Sequence, residues 1–255
     1  MSEFEVPIYN ALLIAGYIIA PITFIFLLRV SAPYGRHARK GWGPQISRRA
    51  GWVIMELPSV ASFGIFFLLG LTTGATLVWI AFALWQTHYV YRGLVYPFRI
   101  REKSKSNPVI VVVFAVLFTT INGYLNGRYL SIHADRYDAA WVSDPRFAIG
   151  LLLFVFGLGL NFYADEILLH LRRKDESGYR VPHGGPYRFV SCPNYLGELI
   201  EWTGWAILVW SPVGLLFAIW TAANLIPRAR SHHAWYRAEF PDYPQERKAL
   251  IPFIY

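Results

Sequence analysis

The sequence predicts an all-α integral membrane bundle of seven transmembrane helices. Two observations carry this: apolar runs long enough to span a bilayer, and basic residues gathered on one side of those runs. The chain has 255 residues, 55% hydrophobic and 17% aromatic, with only 16% charged. Runs such as YNALLIAGYIIAPITFIFLL (9–28) and FAIGLLLFVFGLGLNFYA (147–164) approach or reach the roughly 20 residues that cross a hydrocarbon core. One compact domain over 1–255 is the expected organisation. The opening MSEFEVP is acidic where a secretion signal needs positive charge, and no small-residue cleavage site follows.

Apolar runs bounded by charge or by Pro and Gly place helices near 8–29, 52–69, 72–96, 108–126, 146–170, 195–210 and 212–227. Seven spans put the first, third and fifth loops and the tail on one side. Those segments hold Arg36, Arg39, Lys40, Arg48 and Arg49; Arg99, Arg101, Lys103 and Lys105; Arg172, Arg173, Lys174, Arg180 and Arg188; and Arg228, Arg230, Arg237, Arg247 and Lys248. Nineteen of the 24 Lys and Arg residues therefore share a side, and Arg128, Arg136 and Arg146 lie opposite. Basic loops stay cytoplasmic, so the tail is expected inside and the N-terminus outside or in the lumen. The implied location is the inner membrane of a bacterium or the endoplasmic reticulum membrane of a eukaryote.

Composition and motifs exclude several function classes. Cys192 is the single cysteine, so no intrachain disulfide or thiolate cluster forms. There is no HExxH, CxxC or P-loop pattern, the His residues are mostly scattered, and no metal is expected. GLGLNF (157–162) lacks the third glycine of a dinucleotide fingerprint and lies in an apolar run, where it reads as helix-packing glycine. Basic groups confined to short tethered loops suit nucleic acid poorly, and no obligate protein partner is evident.

What remains is polarity in the wrong solvent. Ionisable groups within membrane helices cost about 2.5–3.5 kcal/mol each on insertion scales and usually mark a site. Glu56 interrupts GWVIMELPSVASFGIFFLLG (51–70), and Gln86, His88, Tyr89 and Arg92 lie toward the end of the third run. Asn161 and Asp165 are four apart; Asn194, Glu198 and Glu201 follow at i, i+4 and i+7. Arg228, His232 and Tyr236 share a face if the last helix continues. Each has a plain alternative: Glu198 and Glu201 as internal ion pairs with arginine, Asn161 and Asp165 as interhelical bridges, His88 as a satisfied donor. At least four spans nevertheless carry such groups, which calls for a shared wet or ligand-filled cavity. The fifth loop and tail mix arginines with Tyr179, Tyr187, Trp235 and Tyr236, the composition of a cytoplasmic pocket for an anionic ligand with a flat ring.

The stretches ELPS (56–59), HYVYR (88–92), LNFYADEIL (160–168), GYRVPHGGPYRFVSCPNYLGELIEWTGWA (178–206) and FPDYPQERKALIPFIY (240–255) resemble the steroid 5α-reductase family, the 3-oxo-5α-steroid 4-dehydrogenases. The similarity runs from about Pro33 to the last residue. It implies a seven-helix membrane enzyme that uses NADPH to reduce the C4–C5 double bond of a 3-oxo-4-ene steroid. It also implies that Glu56 and Tyr89 hold the substrate ketone. By the same resemblance Asn161, Asp165, Arg172, Tyr179, Arg180, Asn194, Glu198, Arg228, His232 and Tyr236 contact the cofactor. Met55 stands where the family often has Gln, which removes one polar contact near the ketone. Relatives that reduce polyprenols or enoyl-CoA thioesters, and membrane methyltransferases at greater distance, are the rival readings.

Overall fold

The computed structural model describes residues 1–70, 76–100, 106–171 and 178–255. The described chain is almost wholly helical: α1 (Glu5–Arg29), α2 (Arg48–Gly70), α3 (Thr76–Val90), α4 (Tyr96–Arg99), α5 (Val109–Ile132), α6 (Ala139–Val142), α7 (Pro145–His170), α8 (Pro193–Val209) and α9 (Pro212–Glu239). Helices α1, α2, α5 and α7 are long and apolar enough to cross a bilayer. This is a membrane protein, and α1 presents Ile14, Ile18, Ile22 and Phe26 outward, as lipid contact requires.

Two details depart from expectation. The last helix does not stop at residue 227; it runs through Pro227 to Glu239. The third run changes pitch at a π turn, Tyr91–Val95, before α4. A short antiparallel pair also joins β1 (Gln45–Ser47) to β2 (Ser106–Pro108), tying the segment before α2 to the segment before α5.

Lipid tails are as apolar as leucine, so helices in a membrane associate through close packing and polar bonds more than through hydrophobic transfer. Both devices are visible. On α7, Gly150 and Gly157 face Gly204 and Gly197 of α8, and a β-carbon on any of the four would overlap backbone of the facing helix. Gly159 meets nothing within 4 Å, so one glycine of the GLGLNF stretch packs and its neighbour does not. Helices α2 and α5 approach through Gly123 and Gly127, which lie on the backbone of Phe63. Polar bonds add direction: Thr119 Oγ1 donates to the Met55 carbonyl at 2.9 Å, and Trp85 Nε1 to the Ser59 carbonyl at 3.2 Å.

The core is aromatic. Trp85 stacks on Phe63 with ring centroids 4.5 Å apart and also meets Trp202, Trp205 and Phe217. Trp205 Nε1 donates to buried Asn126 Oδ1 at 3.0 Å, which gives the one polar atom of that ring its partner. This aromatic floor supports the site.

Candidate active site

Glu56 is positioned by α2, two residues before Pro58, whose missing N–H breaks the regular ladder at that level. The π turn lies against it. A β-carbon at Gly93 would stand only 3.3 Å from the Glu56 β-carbon, so glycine lets the two backbones close. An extra residue in a helical turn re-aims the side chains around it, and Arg92, within that turn, reaches Asp165 of α7. Tyr89 is buried, its ring stacked on Trp202 at 5.7 Å and in contact with Trp85 and His88. Its phenol lies within electrostatic reach of the Glu56 carboxyl group.

Four interhelical links lie near this pair. His88 Nδ1 lies 2.8 Å from Glu201 Oε1, both residues buried. Arg92 Nη1 donates to Asp165 Oδ2 at 3.1 Å while its guanidinium lies over Trp52 and Tyr96. Asn194 Nδ2 donates to Asp165 Oδ1 at 3.0 Å, and Asn161 Nδ2 to the Asn194 carbonyl at 2.9 Å. Glu198 sits within reach of Arg92, His88, Glu201 and Asp165. The arginine partner expected for Glu201 is thus histidine, and Asn161 with Asp165 does bridge helices. Asn161 Oδ1, Ser59 Oγ and Glu201 Oε2 are buried with no hydrogen-bond partner among the described residues.

A second cluster gathers the first loop, the segment after α7 and the far end of α9. Arg36 lies over the rings of Tyr236, Trp235 and Tyr179, at 4.4, 4.9 and 5.3 Å. Its Nη1 is buried without a partner among the described residues. His37 Nε2 is 2.9 Å from His232 Nδ1, and Tyr195 Oη is 3.2 Å from His232 Nε2. Arg228 donates through Nε to Tyr195 Oη and lies 3.6 Å from the Tyr34 ring centroid. Burial, reinforced by Arg228, Arg36 and Arg39, pushes the His37 imidazole down to about 4.

The expected residues therefore fall into two groups, drawn from α7, α8 and α9 and the segment after α7. Asn161, Asp165, Asn194 and Glu198 stand with Arg92 in the bundle; Tyr179, Arg228, His232 and Tyr236 stand with Arg36. Arg180 is exposed in the segment after α7, and Arg172 lies outside the described residues. Sequence reasoning missed Tyr34, Arg36, His37 and Tyr195 as members of the second cluster. PYGRH (33–37) carried the signal, an aromatic, a glycine and two basic groups in a row, but Arg36 had a sufficient explanation in topology.

Fold and site together define a membrane-embedded enzyme whose buried polar network is held between helices beside an aromatic core. Comparison with known proteins makes the class specific. The family model described as 3-oxo-5-alpha-steroid 4-dehydrogenase matches residues 105–255. The chain is 41% identical to steroid 5-alpha-reductase DET2 of Gossypium hirsutum, over 97% of its own length and 98% of that protein. It is 40% identical to 3-oxo-5-alpha-steroid 4-dehydrogenase 1 of Bos taurus, covering 91% of each, and 39% identical to the Homo sapiens protein of that name, covering 89% of this chain and 88% of that protein. The chain belongs to the 3-oxo-5-alpha-steroid 4-dehydrogenase family, an oxidoreductase family, which fits a nicotinamide cofactor.

Proposed function

We propose that this protein uses NADPH to reduce the C4–C5 double bond of 3-oxo-4-ene steroids, yielding 5α-reduced 3-oxo steroids. The observation that carries the chemistry is that the buried Tyr89 phenol, its ring against Trp85 and Trp202, lies within electrostatic reach of the Glu56 carboxyl group. Glu56, as the neutral acid, and the Tyr89 phenol donate hydrogen bonds to the C3 carbonyl oxygen. Negative charge gathers on that oxygen as the β-carbon is reduced, so donors aimed there stabilise the transition state more than the ground state. The steroid, a rigid apolar ring system, enters from the lipid side.

The residues present fit a phosphorylated dinucleotide. Arg36 and Arg228 offer guanidinium donors, the kind of group that matches phosphate oxygens. Tyr34, Tyr179, Trp235 and Tyr236 offer faces for a flat base. Asn161 Oδ1 is an orphaned acceptor suited to a carboxamide N–H. Asn161, Asp165, Asn194 and Glu198 hold the nicotinamide end; Arg172, Tyr179, Arg180, Arg228, His232 and Tyr236, joined by Arg36, hold the phosphate and adenine end. When bound, NADPH supplies the hydride.

The reading takes residues 1–255 as one domain with seven crossings, made by α1, α2, α3 with its π turn, α5, α7, α8 and the first part of α9. Contacts between loops assigned to one side support it: β1 pairs with β2, and Arg36 meets Tyr179 and Trp235. At the other end Arg128 binds Glu5 through Nε and Nη2 at 2.7 and 2.8 Å. Incubation of the purified protein with NADPH and, separately, a 3-oxo-4-ene steroid, an enoyl-CoA and a polyprenol tests the assignment. A product two mass units heavier from the steroid alone supports it; reduction of only the thioester or the polyprenol rejects it.

A further inference from the structure

One concavity of the protein has no place in this chemistry. It has a volume of about 240 Å³ and is lined by His183, Gly184, Arg188, Pro244, Glu246 and Arg247. None of these belongs to the groups assigned to substrate or cofactor. Arg247 is 3% exposed; its Nη1 donates to the Pro182 carbonyl at 3.2 Å, its plane lies over Tyr243, and its Nε is buried without a partner among the described residues. A buried guanidinium N–H left without an acceptor is costly, and an acceptor arriving from outside relieves the cost. Arg188 and His183 stand exposed at the mouth, and Glu246 is the one acid among the lining residues. The opening therefore favours an anion.

Its surroundings identify where the anion comes from. The turn that forms one wall, with Gly184 at φ +81° and Gly185 at φ +49°, rests on Tyr163 and Ile167 of α7. That helix turns Leu152, Phe156 and Tyr163 outward, and Tyr163 lies two turns from its end at His170, the depth at which hydrocarbon gives way to headgroups. Beside the cavity Phe189 and Phe253 pair at 5.8 Å, and Phe253 and Ile254 are 80% and 78% exposed. These apolar groups are held out by a tied backbone rather than a loose one: Lys248 N donates to the Phe189 carbonyl at 3.0 Å and Ser191 N to the Lys248 carbonyl at 2.8 Å. Phe253 keeps this posture with a left-handed φ of +65°. Basic groups around a recess, flanked by fixed exposed aromatics at the edge of an apolar helix face, form an interfacial anchor.

We propose that this recess is a binding site for an anionic phospholipid of the surrounding bilayer. Its phosphate accepts from Arg188 and from Nε of Arg247, and its acyl chains lie along Phe189, Phe253 and the outer face of α7. The full-length protein, delipidated in neutral detergent, is to be heated with added phosphatidylglycerol, phosphatidylcholine or inorganic phosphate, while native mass spectrometry counts retained lipid. Phosphatidylglycerol is expected to raise the unfolding midpoint by several degrees and to remain bound at one per chain. The charge-reversing Arg188→Glu, at an exposed position that leaves folding and NADPH affinity unchanged, removes both effects, and Phe253→Ser weakens them. Equal effects of phosphatidylcholine, reproduction of the shift by inorganic phosphate, retention of the lipid by Arg188→Glu, or displacement of the lipid by NADPH would each overturn the proposal.

Discussion

His37 Nε2 lies 2.9 Å from His232 Nδ1, joining the first loop to the last helix across 195 positions of sequence. A ring nitrogen pair this close shares one proton and cannot hold two cations, and Arg36 and Arg228 stand beside it. The contact holds the first loop over the far end of α9, so the second cluster depends on it.

That pair sets a pH dependence. Burial and neighbouring arginines push His37 down to about 4, below the ordinary histidine value near 6.5. Between those values the unfolded chain binds a proton that the folded one does not, so stability falls as pH drops through this window. The unfolding midpoint is expected to decline from pH 6.5 toward 4, and His37→Asn should flatten that decline. An unaltered pH profile in the variant would place the dependence elsewhere.

Removing one donor from the carbonyl clamp should slow turnover strongly. Tyr89→Phe and Glu56→Leu are each expected to lower kcat by about 10²–10³, the usual cost of losing one preorganised donor to an oxyanion. NADPH affinity should stay close to that of the unaltered protein. Calorimetric titration beside a steady-state assay separates the two, and normal turnover in both variants rejects the clamp.

Arg36 makes a distinct prediction. Arg36→Ala should weaken NADPH by about 10-fold or more, the loss of one charge-assisted contact of 1.5–3 kcal/mol. Arg36→Lys keeps the charge but not the planar fork, so it recovers only part of the affinity. Arg172→Ala should weaken binding in the same sense, and unchanged affinity would leave that residue serving topology alone.

Two substitutions read the helix contacts. A methyl group on Gly157 overlaps the Glu201 amide and the Gly197 carbonyl, so Gly157→Ala should reduce the yield of folded protein. Gly159→Ala meets open space and should be neutral or stabilising by about 1 kcal/mol, the difference in helix propensity.

The buried pair of His88 and Glu201 behaves differently from a surface bridge. Glu201→Ala strands His88 in the core and should destabilise by about 3–5 kcal/mol. Glu201→Gln keeps an oxygen or an amide at hydrogen-bond distance and should cost less. Equal midpoints for the two would show that the pair adds packing alone.

Much of this was legible without coordinates. Continuous apolar runs and misplaced carboxylates are local signals: desolvation makes Glu56, Asp165 and Glu198 conspicuous wherever their helices pack. The helix character of 145–170 and 193–209, and the packing role of Gly157, followed from residues within a few turns of each other. The partner of Glu201 did not, because His88 lies 113 positions away and an arginine would have served as well on charge grounds. Arg36 stayed hidden for a related reason: a basic residue in a short loop is already explained by orientation in the membrane.

The sequence by itself determined that the chain is a helical membrane protein and which residue types its interior must accommodate, since solvent preference and helical period act over neighbouring residues. Only the tertiary structure decided which of those groups meet. The π turn that carries Arg92 to Asp165, the glycine contacts that bring α7 onto α8, and the fold-back of the first loop onto α9 set distances between residues far apart in the chain. Such distances depend on how whole helices cross, and no local pattern encodes that.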